Sequence, residues 1–186
     1  KYATVKSEAE SILKGSLPEN MRLEMLRISG ESNYHLGYYD NAVSLLKEYA
    51  DNADDAQRTA LYALGVSEFN TGNYSDAKNH LGQVTLADDE LAQSAYLYVG
   101  QAYLHEENVK AASMAFEKAY KMPYDREVKE TAFYNYAIAQ SQGGRTPFNS
   151  SVKLFQDFLN TFPSSRYADK VEDYIINSYL NNKDYD

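Results

Sequence analysis

Cysteine is absent from the 186 residues, so no disulfide framework, thiolate nucleophile or zinc–thiolate cluster is available. That absence suits cytosol and periplasm alike and excludes only the cysteine-rich secreted mini-domains. Basic charge is scarce: 18 Lys and Arg stand against 27 Asp and Glu, a net charge of −9. These cations are scattered, whereas a polyanion needs a concentrated basic stripe, so nucleic acid is disfavoured as a partner. No apolar run approaches the roughly 20 residues that span a bilayer, so no transmembrane segment is expected. No signal peptide is visible either, but the chain opens at Lys1 without a methionine, which reads as a fragment or mature form.

Chemistry is also missing. No serine–histidine or similar nucleophile arrangement is present. The Gly143-Gly144-Arg145 turn lacks the lysine and flanking strand of a phosphate loop. His35 and His105 occupy equivalent places two repeats apart, too far to share a metal, and His80 is remote from both. Asp54-Asp55 and Asp88-Asp89-Glu90 read as groups that cap free amides where a helix begins. The expectation is a protein that is not an enzyme and carries no cofactor or metal.

What the chain does have is a period. Gly30, Gly65 and Gly100 are spaced by 35 residues, as are Ala42, Ala77 and Ala112. Gly37 and Gly72 keep the interval, and so do Tyr39 and Tyr74. Around them the segments GESNYHLGYYDNAVSLL, GVSEFNTGNYSDAKNHL and GQAYLHEENVKAASMAF read alike. Glycine inside a helix costs up to about 1 kcal/mol relative to alanine, so its recurrence there implies two helix backbones in close approach. Gly37 and Gly72 fall where a first helix must stop, and Asp40 and Asn73 are placed to open the second.

This pattern resembles the tetratricopeptide repeat. The best copy is Leu61, Leu64, Gly65, Phe69, Gly72, Tyr74, Ala77 and Leu81. Others run through Tyr96, Val99, Gly100, Tyr103, Ala112, Phe116 and Ala119, and through Leu26, Gly30, Tyr34, Gly37, Tyr39, Ala42 and Leu46. A fourth copy holds Phe133, Tyr136 and Ala137, with extra residues at 143–149 before Phe155, Phe158 and Leu159. The resemblance implies an all-α superhelix of about ten helices. Residues 1–18 form the second helix of a preceding repeat, and four repeats follow at about 20–54, 55–89, 90–125 and 126–163. The first helix of a further repeat occupies 164–186, so both ends cut through hairpins and offer self-association. The period also admits the RNA-binding pentatricopeptide family, against which the acidic balance argues. Phe162-Pro163-Ser164-Ser165-Arg166-Tyr167-Ala168 resembles a junction in bacterial envelope lipoproteins with these repeats, which favours envelope or periplasm over cytoplasm and leaves the compartment open.

The family places first helices on the concave face and implies a protein or peptide partner held in the groove. Carried over residue by residue, the groove comprises Tyr34, Tyr62, Val66, Phe69, Leu97, Leu104, Tyr134 and Ile138. Its ends are polar, with Glu24, Arg27, Glu31 and His35 at one and Lys170, Asp173 and Asn177 at the other. The alternative is a structural segment whose groove is covered by its own flanking sequence, or a homo-oligomerisation module.

Overall fold

The computed structural model describes residues 1–142 and 148–183, with the backbone alone at 148–149 and 181–183. Ten α-helices and no strand make up the described residues. They are α1 (Tyr2–Leu13), α2 (Glu19–His35), α3 (Tyr39–Asn52), α4 (Arg58–Asn70), α5 (Tyr74–Val84), α6 (Glu90–His105), α7 (Val109–Lys121), α8 (Arg126–Gln142), α9 (Phe148–Thr161) and α10 (Ala168–Lys183). The expected all-α superhelix is what forms.

The repeat explains why the hairpins close. In α3, α5 and α7 the inward stripe falls at matching places: Ala42, Ala77 and Ala112, then Leu46, Leu81 and Phe116, all wholly buried. These positions recur at i and i+4, the spacing that sets side chains on one helix face. Each large residue presses on the glycine 16 residues before it. A Cβ built on Gly30 would lie 2.5 Å from Leu46 Cγ, on Gly65 2.6 Å from Leu81 Cγ, and on Gly100 2.5 Å from Phe116 Cε1. The glycines are therefore sockets for the facing helix.

Turns between paired helices are also alike. Gly37 and Gly72 have φ of 76° and 82°, and Glu107 takes the same left-handed region at φ 58°. The next residue closes the helix end: Tyr38 N–H donates to Asn33 O, Asn73 N–H to Glu68 O and Asn108 N–H to Tyr103 O, at 2.8–2.9 Å. This six-to-one bond satisfies carbonyls that the helix terminus leaves free. Asp40 does not open its helix as expected. Tyr38 is the N-cap, and Asp40 sits in the first turn, where a negative charge meets the positive dipole end. Asn73 is the N-cap of α5 but its side chain makes no bond to the helix, while Asn108 accepts from Ala111 N–H at 3.1 Å.

First helices touch across repeats, α2 with α4, α4 with α6 and α6 with α8. Second helices of successive repeats make no such contact among the described residues. One layer close-packed and the other splayed is a curved stack, with α2, α4, α6 and α8 lining the inner face. The pattern changes after α8, because α10 packs on α9 and, among the described residues, its backbone makes no close approach to α8. The expected extra residues lie at 143–149, of which 143–147 and the side chains of 148 and 149 fall outside the described residues.

Candidate functional site

The inner face carries a run of rings. Tyr62, Val66 and Phe69 share one side of α4 at i, i+4 and i+7. Tyr62 meets Tyr34 of the preceding repeat edge-on at 6.4 Å and Tyr98 of the following repeat at 6.3 Å. Phe69 meets the same Tyr98 at 5.4 Å and the edge of His105 at 5.6 Å. His105 in turn stacks on Tyr74 at 4.4 Å. At the other end Tyr34 abuts His35 at 5.0 Å, which stacks on Tyr2 at 4.1 Å. Eight rings from three repeats and α1 thus form one connected ladder. Edge-to-face pairs of this kind add about 0.5–1.5 kcal/mol each beyond their burial.

Of the residues expected to line the groove, Tyr34, Tyr62 and Phe69 join this ladder, half-buried. Leu104 borders a hollow of about 360 Å³ with Phe69, Gln101 and His105. Leu97 is half-buried outside the ladder. Val66 is only 2% exposed and belongs to the core cluster of Leu61, Ala77, Leu81 and Ala95, so it offers no contact surface. Tyr134 and Ile138 pack in a separate cluster with Phe133, Phe155 and Phe158. Tyr134 stacks on Tyr167 at 4.2 Å, a ring supplied by the α9–α10 connection. The ladder stops before the fourth repeat.

Tyr98 is absent from the carried-over set because the residue 35 after Tyr62 is Leu97. Its register equivalents are Ala63 and Ile28, so the repeat pattern holds no signal for a ring there.

Electrostatics separates the apolar middle from the ends. Burial raises the Tyr62 phenol above its ordinary value, reinforced by Tyr34 and Tyr98, and burial raises those two likewise. All three phenols stay neutral near pH 7. At the end near α2, the Arg27 guanidinium donates to Glu24 and to Glu31 at 2.5–3.0 Å. Those carboxylates, the Glu24 hydrogen bond first, hold Arg27 above its usual value. Thr59 Oγ1 also donates to Glu31 at 3.2 Å. This charge is satisfied internally, so a partner gains little by meeting it.

The remaining histidine, His80, bonds through Nδ1 to Glu68 at 2.7 Å, a carboxylate only 1% exposed. Among the described residues no three His, Asp or Glu side chains converge as a metal site would require. No helix of the described residues is long and apolar enough to cross a membrane.

Comparison with known proteins agrees with the architecture. Residues 62–126 match the family profile described as Tetratricopeptide repeat. Among curated proteins none matches the sequence. A crystal structure of MamA superposes with a TM-score of 0.70 at 20% identity, over 86% of this chain and 87% of that one. A second structure, MamA MSR-1 C2, gives 0.67 at 20% identity over 88% of each chain. At that identity the likeness is one of fold. Residues 62–126 thus carry tetratricopeptide repeats, and α2–α3 is closed on the same kind of glycine socket as the matched hairpins.

Proposed function

We propose that this protein is an interaction scaffold whose inner face grips a segment of a protein partner, through the rings of Tyr34, Tyr62, Tyr98 and Phe69 and the hollow beside Leu104. The observation that carries this reading is the ladder: aromatic side chains held half-exposed on a concave surface. Tetratricopeptide repeats are in general non-enzymatic protein-interaction scaffolds, and large rigid aromatic surface is the usual source of binding energy at an interface. A helix or extended segment laid along the groove would meet it as a row of anchors.

The reading makes a quantitative demand. Truncating a central anchor costs about 2 kcal/mol or more of binding, roughly thirtyfold in affinity. Tyr62→Ala and Phe69→Ala should therefore depress partner capture about thirtyfold while the array still unfolds cooperatively by circular dichroism. Tyr74→Ala, on a second helix and stacked under His105, should lower the melting temperature first. Retained capture by the first two variants, with loss on changing Glu24, Arg27 or Glu31, would put binding on the charged end instead.

A second reading is self-association. It is favoured by α10, where Ile176, Tyr179 and Leu180 are 48–57% exposed. An exposed apolar face of that kind usually marks an interaction surface. Molar mass by light scattering over a hundredfold concentration range tests it, since a concentration-independent monomer would remove it.

A further inference from the structure

We infer that Tyr98 determines the specificity of the groove: its ring plugs a hollow over Val66, so the centre of the inner face accepts flat contact and refuses an inserted side chain. This rests on the inner face being the binding surface.

Tyr62 and Phe69 are seven residues apart on α4, a separation of about 10.5 Å along a helix. Between them on the same face stands Val66, whose side chain is short. Left to α4 alone, that arrangement is a hollow with two aromatic walls and a valine floor. Yet Val66 is 2% exposed. Ala77, Leu81 and Ala95 share its cluster, and the ring from the next repeat completes the cover, because Tyr98 lies 6.3 Å from the Tyr62 ring and 5.4 Å from the Phe69 ring. It packs on the same cluster that contains Val66. A ring within reach of both walls sits over the floor between them.

The plug is a local addition to the repeat. Its register equivalents are Ala63 and Ile28, and hairpin closure through Gly100 and Phe116 does not involve it. One step along the groove, the hollow of Phe69, Gln101, Leu104 and His105 stays open at about 360 Å³. That site takes an uncharged aliphatic or aromatic side chain of the partner. Gln101, half-exposed on its wall, presents an amide to the partner's backbone. The face is thus filled across Tyr34, Tyr62 and Tyr98 and indented beyond Phe69.

The test uses 4-methylphenol, the side chain of tyrosine as a free molecule, titrated into 13C-methyl-labelled protein. In native protein, shifts should be confined to Leu104. In Tyr98→Ala, the Val66 methyls should shift saturably, with binding tighter than in the native protein by roughly tenfold or more. The probe should also raise the melting temperature of that variant alone, and Tyr98→Phe should behave as native. If Tyr98→Ala does not fold, Tyr98→Val removes the ring with less loss of packing and is read in the same way. Refolding of either variant by the probe also supports the plug, whereas failure to refold with it overturns the inference. A folded Tyr98→Ala without saturable shifts at Val66, or native protein with equal shifts there, overturns it as well. No partner enters this experiment, so its outcome is independent of whether Tyr62 and Phe69 variants lose partner capture.

Discussion

Glu107 holds φ 58° where two earlier turns use glycine. A side chain in the left-handed region costs about 1–2 kcal/mol, against about 0.5–1 kcal/mol for the extra chain entropy that glycine loses on folding. Glu107→Gly should therefore stabilise the protein by about 0.5–1 kcal/mol, read as a rise of a few degrees in the melting temperature. Two other glycines make a matched pair. A Cβ at Gly65 would sit 2.6 Å from Leu81 Cγ and 3.2 Å from the Ala77 carbonyl, in a fully buried contact. A Cβ at Gly82, inside α5, would meet nothing within 4 Å. Overpacking costs about 1–3 kcal/mol and helix propensity returns at most about 1 kcal/mol. Urea denaturation should thus show Gly65→Ala destabilised and Gly82→Ala stabilised. The first glycine was legible from its recurrence, and the second, which recurs nowhere, has no packing role.

Between elements, successive hairpins are pinned by one polar residue at the start of a first helix. Arg58 donates to Val84 O at 2.8 Å and pairs with Asp89 at 2.7 Å. Exactly one period later Gln93, wholly buried, donates to Ala119 O at 3.0 Å and to Met122 O at 2.8 Å, and accepts from Asp125 N–H at 2.7 Å. Arginine and glutamine perform the same task there, so matching by residue identity conceals it. The expected capping by acidic groups holds for Asp89, which accepts from Ala92 N–H at 2.9 Å. Asp54 and Asp55 do not cap α4, whose N-cap is Gln57. The Arg58 hydrogen bond, then the Ala92 amide, depress the Asp89 carboxyl to about 2. A depressed folded value contributes stability that is complete above the unfolded value near 4 and is lost as pH falls towards 2. Asp89→Asn should therefore narrow the difference from native protein in urea midpoint as pH drops from 5 to 2.5. A difference that stayed constant over that window would remove the charge from the account.

Over the whole molecule, the 35-residue period established the helix pairs and the inner layer. It did not establish where the groove ends. Tyr134 is taken up by Tyr167, a ring 33 residues downstream whose approach depends on how α9 and α10 leave the regular stack. Val66 is taken into the core cluster with Ala77, Leu81 and Ala95, residues of the two following helices. Periodicity describes what each repeat shares, while the proposed binding surface is made by the residues in which repeats differ. The most direct measurement is site-specific photocrosslinking to the native partner. A benzoylphenylalanine would be placed at Leu104 beside the inner hollow, and at Met114, 61% exposed on the outer helix α7. The account predicts crosslinks from position 104 that fade when Tyr62 is also changed to alanine, and none from position 114. Crosslinks from position 114, or from 104 unaffected by the loss of Tyr62, would contradict it.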